Sequence, residues 1–80
     1  MINLSDLSWV IDTKEMICRD NKNQIVVKMQ KEGNGFRGKL QDMPVELFAE
    51  LAGCANGERI IEKILKNVQR EYSRVCLREK

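Results

Sequence analysis

From Gly57 to Lys80 the chain divides on a helical wheel into an apolar side and a basic side, and this one segment restricts what the rest can fold into. At about 100° per residue, Ile60, Ile61, Ile64, Leu65, Val68, Tyr72, Val75 and Cys76 share one arc. Arg59, Lys63, Lys66, Arg70 and Arg74 gather opposite. A helix of this kind buries its apolar side against another element and turns its basic side to water or to something negative. The remaining chain must therefore supply an apolar surface large enough to cover that arc.

That surface is legible upstream. Met1 to Ser8 is a weakly patterned lead-in, Trp9, Val10 and Ile11 are an apolar approach to the fold, and Asp12, Thr13 and Lys14 read as a bend. Glu15 to Arg19 has the length of a short strand, closed by the turn-forming cluster Asp20, Asn21, Lys22 and Asn23. In Gln24 to Lys31, Ile25, Val27 and Met29 alternate with Val26, Lys28 and Gln30, the period-two signature of a half-buried strand. After Glu32 to Gly35 the alternation resumes, with Phe36, Gly38 and Leu40 on one face and Arg37, Lys39 and Gln41 on the other. These two runs are predicted to pair as an antiparallel hairpin around Gly33-Asn34-Gly35.

The period then changes to about 3.6. Asp42 ahead of Pro44 reads as a helix start, Val45, Leu47, Phe48, Leu51 and Ala52 as apolar helix positions, and Gly53 as its end. Asn56 is placed to cap the long helix from Glu58. The expected fold is α+β: one domain over residues 1–80, a three-stranded antiparallel meander followed by two helices packed on one face of the sheet, with no internal repeat. Ile61, Ile64, Leu65 and Val68 are expected against Ile25, Val27, Met29, Phe36 and Leu40.

Catalytic and metal chemistry have little to work with. The chain has no His, which removes His-based triads and the commonest general base. Cys18, Cys54 and Cys76 are odd in number and form no CxxC pair, and a zinc site takes four Cys or His ligands, so neither a disulfide framework nor a metal is expected. The string Gly33-Asn34-Gly35-Phe36-Arg37-Gly38 has phosphate-loop spacing but joins strand to strand, where such a loop must open a helix; it reads as a hairpin tip. Glu46 and Glu50, and Glu58 and Glu62, each lie one helical turn apart on polar helix faces. No cofactor and no enzymatic activity are expected.

Binding is the better supported class. Fourteen Lys and Arg against twelve Asp and Glu leave a net charge of +2, so any electrostatic role depends on local segregation rather than on overall charge. Lys66, Arg70, Arg74 and Arg78 recur every four residues, a spacing at which like charges each weaken a helix by a few tenths of a kcal/mol. Arg19, Lys28, Arg37 and Lys39 fall on the sheet face opposite Cys18, Val27 and Leu40. The candidate partner-binding residues are accordingly Lys63, Lys66, Arg70 and Arg74 on the helix and Lys28, Arg37 and Lys39 on the sheet. No aromatic residue interleaves these cations, so base stacking lacks a platform, and an acidic protein or a second copy of the chain is favoured over nucleic acid. At 80 residues the domain buries only about 60% of its unfolded surface, which also favours association.

Ile25-Val26-Val27, Glu32-Gly33-Asn34-Gly35-Phe36, Asp42-Met43-Pro44, Gly53-Cys54 and Gly57-Glu58 at the head of a long helix together resemble the HicB-like antitoxin domain, over Gln24 to about Tyr72. That resemblance implies a small protein that covers an RNA-cleaving toxin; it implies no catalytic residue. No apolar run approaches the roughly 20 residues of a membrane span, and Met1 to Trp9 lacks the basic start and apolar stretch of a signal peptide. A cytoplasmic setting is expected.

Overall fold

The computed structural model describes residues 6–78, so the lead-in before Asp6 and the final Glu79 and Lys80 lie outside it. The order of elements is β1 (Trp9–Asp12), β2 (Ile17–Asp20), β3 (Ile25–Glu32), β4 (Gly35–Asp42), α1 (Val45–Ala52) and α2 (Gly57–Arg78). The α+β class holds, but the sheet has four antiparallel strands in the order β1-β2-β3-β4, one more than the sequence predicts. The added strand is the stretch around Trp9, Val10 and Ile11. Four residues carry too short an alternation to be read as a strand by pattern, and it is pairing with β2, Trp9 opposite Asp20 and Ile11 opposite Cys18, that makes them one.

The β1-β2 and β2-β3 connections are the same turn used twice. Asp12 Oδ1 accepts hydrogen bonds from the backbone N–H of Lys14 and Glu15, both at 3.0 Å. Asp20 Oδ1 does the same for Lys22 at 3.0 Å and Asn23 at 3.3 Å. In each case the residue four places after the Asp is left-handed, Met16 and Gln24 both at φ 57°, and an Ile then starts the next strand. The two turns share the short pattern Asp-x-Lys-x-x-Ile, at 12–17 and 20–25. Asp20 differs in being 1% exposed, with its second oxygen taken by the Asn23 side-chain amide at 3.0 Å.

One face of the sheet holds the core. Cys18, Ile25, Val27 and Met29 are buried under Ile64, Val68 and Tyr72 of α2, with Trp9, Ile11, Phe36, Leu40 and Leu65 packed around them. The helix comes closest over β4, where a Cβ on Gly38 would lie 3.1 Å from Val27 Cγ1 and 3.6 Å from Gln69 Cγ. Phe36 and Tyr72 meet edge to face at 4.8 Å, and Trp9 Nε1 donates to Asn67 Oδ1 at 2.8 Å, so both edges of the sheet are tied to the same helix. Ile61, expected over the sheet, instead faces a groove beside α1 with Phe48 and Leu51.

α1 packs chiefly on α2, with Leu51 buried and Leu47 touching the core. The residue preceding it is Pro44, and Asp42 does not cap it: the Asp42 carboxylate accepts the N–H of Met43 at 2.9 Å while Asp42 itself closes β4. At the other end, Cys54 N–H donates to the Leu51 carbonyl at 3.2 Å, and Gly57 sits buried against that same carbonyl.

A Cβ on Gly57 would overlap Leu51 O, so Gly57→Ala is expected to destabilise the domain by at least about 2 kcal/mol, read as a fall in the denaturant midpoint. Asp20→Ala strands two amides and one side chain at a buried turn and is expected to cost about 1–3 kcal/mol. Asp12→Ala, whose amides face water, should cost clearly less in the same urea titration.

Candidate interaction surfaces

Strand alternation sends the residues between the core positions to the opposite side of the sheet, and no element covers that side among the described residues. Reading across the strands, one row is Val10, Arg19, Val26 and Asp42, and the next is Asp12, Ile17, Lys28 and Lys39. Arg37 follows, opposite Gln30. Arg19, Lys28, Arg37 and Lys39 are exposed; Ile17 and Val26 are half-buried and Val10 is 57% exposed. The open face therefore interleaves the β-branched residues Val10, Ile17 and Val26 with Arg19, has Lys28, Lys39 and Arg37 beside them, and carries Asp12 and Asp42 in the same rows. Asp12 and Asp42 each accept backbone N–H bonds at Oδ1, and Glu32 pairs with Arg37 at 3.6 Å.

Lys28 and Lys39 stand directly opposite each other on neighbouring strands. Like charges in that position repel, where a Glu or Thr partner would add a few tenths of a kcal/mol. Because β4 is an edge strand, Lys39 also discourages further strand pairing there.

Lys63, Lys66, Arg70 and Arg74 lie exposed along the outer side of α2, as the wheel predicts. Arg74 pairs with Glu71 at 3.7 Å; Lys63, Lys66 and Arg70 make no ion pair with another described residue. Since α2 covers one face of the sheet and Lys28, Arg37 and Lys39 project from the other, the seven candidate residues form two patches on opposite sides of the molecule. A single small ligand cannot touch both.

The glycine-rich string forms the β3-β4 hairpin tip, with Gly33 left-handed at φ 59° and no helix following it. Beside the tip, Lys31, Gly33, Asn34, Phe36, Ser73, Cys76 and Leu77 enclose a trough of about 470 Å³ that the sequence pattern does not anticipate. Nor does it anticipate the outer surface of α1, where Val45 is 81% and Phe48 55% exposed. The wheel assigns both residues to the buried side of the helix, but Leu47 and Leu51 alone point inward enough to reach the rest of the fold. Glu46, Glu50, Glu58 and Glu62 are exposed, and no group of three or more His, Cys, Asp or Glu side chains is placed to hold a metal ion among the described residues.

Of the three cysteines, Cys18 is fully buried in the core, and burial pushes its thiol up to about 11, with a smaller contribution from Cys76. A thiol held protonated at neutral pH is a packing group rather than a nucleophile. Comparison with protein-family models, with curated proteins and with solved structures yields no match to this chain.

The Cys18 shift has a measurable consequence. Between the unfolded value of 9.0 and about 11 the folded chain holds a proton that the unfolded chain releases, so stability should fall as pH rises through that window. Cys18→Val should flatten this slope in urea titrations from pH 8 to 11. In native protein at neutral pH, a thiol reagent should modify Cys54 and Cys76, both partly exposed, well before Cys18.

Proposed function

We propose that this domain is a non-enzymatic interaction module whose open sheet face receives an acidic, partly apolar surface of another protein. The observation that carries this reading is the arrangement of Arg19, Lys28, Arg37 and Lys39 among Val10, Ile17 and Val26 on an uncovered face. Apolar and charged side chains mixed in this way match the composition of a non-obligate protein-protein patch. Single-stranded nucleic-acid surfaces set cations beside aromatic stacking platforms, and the aromatic residues nearest this sheet, Trp9 and Phe36, are turned to the helix side. The Lys28–Lys39 repulsion is relieved by a carboxylate set between them, so partner binding recovers what the free domain forgoes.

The helix stripe of Lys63, Lys66, Arg70 and Arg74 supports a second reading, contact with nucleic-acid phosphates, through three cations that have no described ion-pair partner. A toxin-neutralising role, implied by the HicB-like resemblance, ranks below both. An RNA-cleaving partner must itself carry cations to hold its substrate, and these would oppose the basic sheet face.

Zero-length carbodiimide cross-linking in an extract of the source cells tests the assignment. Cross-linked peptides are expected to join Lys28 or Lys39 to Asp or Glu of one other protein, and Lys28→Glu with Lys39→Glu should abolish the product without changing the melting temperature, because both side chains are exposed. Titration of labelled single- and double-stranded DNA and RNA at low salt is the counter-test. Binding at micromolar levels that is lost on Arg70→Glu and Arg74→Glu, with a salt slope flattened by roughly one unit per cation removed, would move the functional face to α2.

A further inference from the structure

We infer that α1 is a docking knob for a second copy of this chain, seated in the trough at the far end of α2. Six of the eight residues of α1 are apolar, and only Glu46 and Glu50 break the pattern. Leu47 and Leu51 face inward, whereas Val45, Phe48, Ala49 and Ala52, at helical spacing of three, four and seven, form a second apolar stripe left in water. A helix that is apolar nearly all round is ordinarily covered on both sides. Here only one side is covered.

The trough offers a concave counterpart to this convex stripe. Its walls include Phe36, Cys76 and Leu77, the last 69% exposed, and about 470 Å³ is room for the Phe48 and Val45 side chains together. Knob and trough lie on one flank of α2, the flank over β4: Glu58 and Ile61 border α1, Gln69 lies over Gly38, and Ser73 and Cys76 line the trough. They are separated by about 20 residues of helix, roughly 30 Å. Two copies set antiparallel along this flank place each α1 in the other's trough, so a single two-fold axis satisfies both contacts and closes the assembly.

Charge selects this pairing over the alternatives. The α1 half carries Glu46, Glu50, Glu58 and Glu62 against Arg59, Lys63 and Lys66, and the trough half carries Lys31, Arg70, Arg74 and Arg78 against Glu32 and Glu71, with no carboxylate among the residues that line the trough, so the two halves are opposite in net sign. Antiparallel apposition sets unlike charges together. Packing α1 on α1 would oppose Glu46 and Glu50 to themselves, and packing α2 on α2 through its outer side would oppose Lys63, Lys66 and Arg70. The flank runs the full length of α2, about 33 Å. This contact leaves the open sheet face free, so it does not depend on the acidic partner proposed there.

Sedimentation equilibrium of the full chain is the test, with two surface variants, Phe48→Ser and Leu77→Ser, each at a residue more than half exposed in the free chain and so expected to leave folding intact. The wild type is expected to dimerise at micromolar concentration, and each variant to dissociate at least roughly tenfold more readily. Mixing the two variants should restore association, because in the mixed pair one contact loses both residues and the other keeps both. A wild type still monomeric at about 100 µM, or a dimer indifferent to either change, overturns the inference. A dimer weakened by Phe48→Ser but not rescued by mixing assigns α1 to another surface and overturns it equally.

Discussion

Everything in this fold depends on a single contact, the apolar side of α2 laid across one face of a sheet too small to hold itself together. Ile64, Val68 and Tyr72 close over Cys18, Ile25, Val27 and Met29, and each fully buried aliphatic or aromatic side chain contributes about 1.5–3 kcal/mol relative to exposure. A meander of short strands does not survive in water without such a cover. The approach is close because Gly38 has no side chain at the crossing point, and it is oriented because the edges of the sheet are held at Trp9–Asn67 and Phe36–Tyr72.

That arrangement also explains why the candidate contacts are divided between surfaces. Since one helix covers only one face, the other face of the sheet must be tolerable to water, and its cations make it so. Their placement goes further than solubility requires. A Lys-Lys pair directly across two strands weakens the sheet, where a Lys-Glu pair in the same place would add to it. The outer side of α2 is basic along its exposed stripe and lies about one molecular thickness away, so the two patches serve separate contacts or only one of them serves any.

α1 plays a different part. Its inner side is anchored by Leu51 and by the close Gly57–Leu51 backbone approach, which fixes where it meets α2. Rigid presentation of an apolar stripe limits the ordering lost on association. The buried Asp20 turn plays the corresponding role at the sheet, holding β2 and β3 in register by satisfying every donor it encloses.

Much of this can be read from the order of residues alone. Period-two alternation through Gln24–Lys31 and Phe36–Gln41 determined the central hairpin and which side of it carries cations, because a strand leaves its side chains no choice but to alternate. The 3.6-residue period from Gly57 determined α2 and its basic stripe for the same kind of reason. Local pattern could not reveal β1, since four residues become a strand only through hydrogen bonds to β2. It could not separate the buried from the exposed apolar residues of α1, because a wheel gives the angle between Phe48 and Leu51 but not where the neighbouring elements stand. Nor could it form the trough between the hairpin tip and the last turns of α2. Those facts belong to the tertiary structure alone, for they follow from how elements distant in sequence are set against one another, and periodicity within an element carries no record of that.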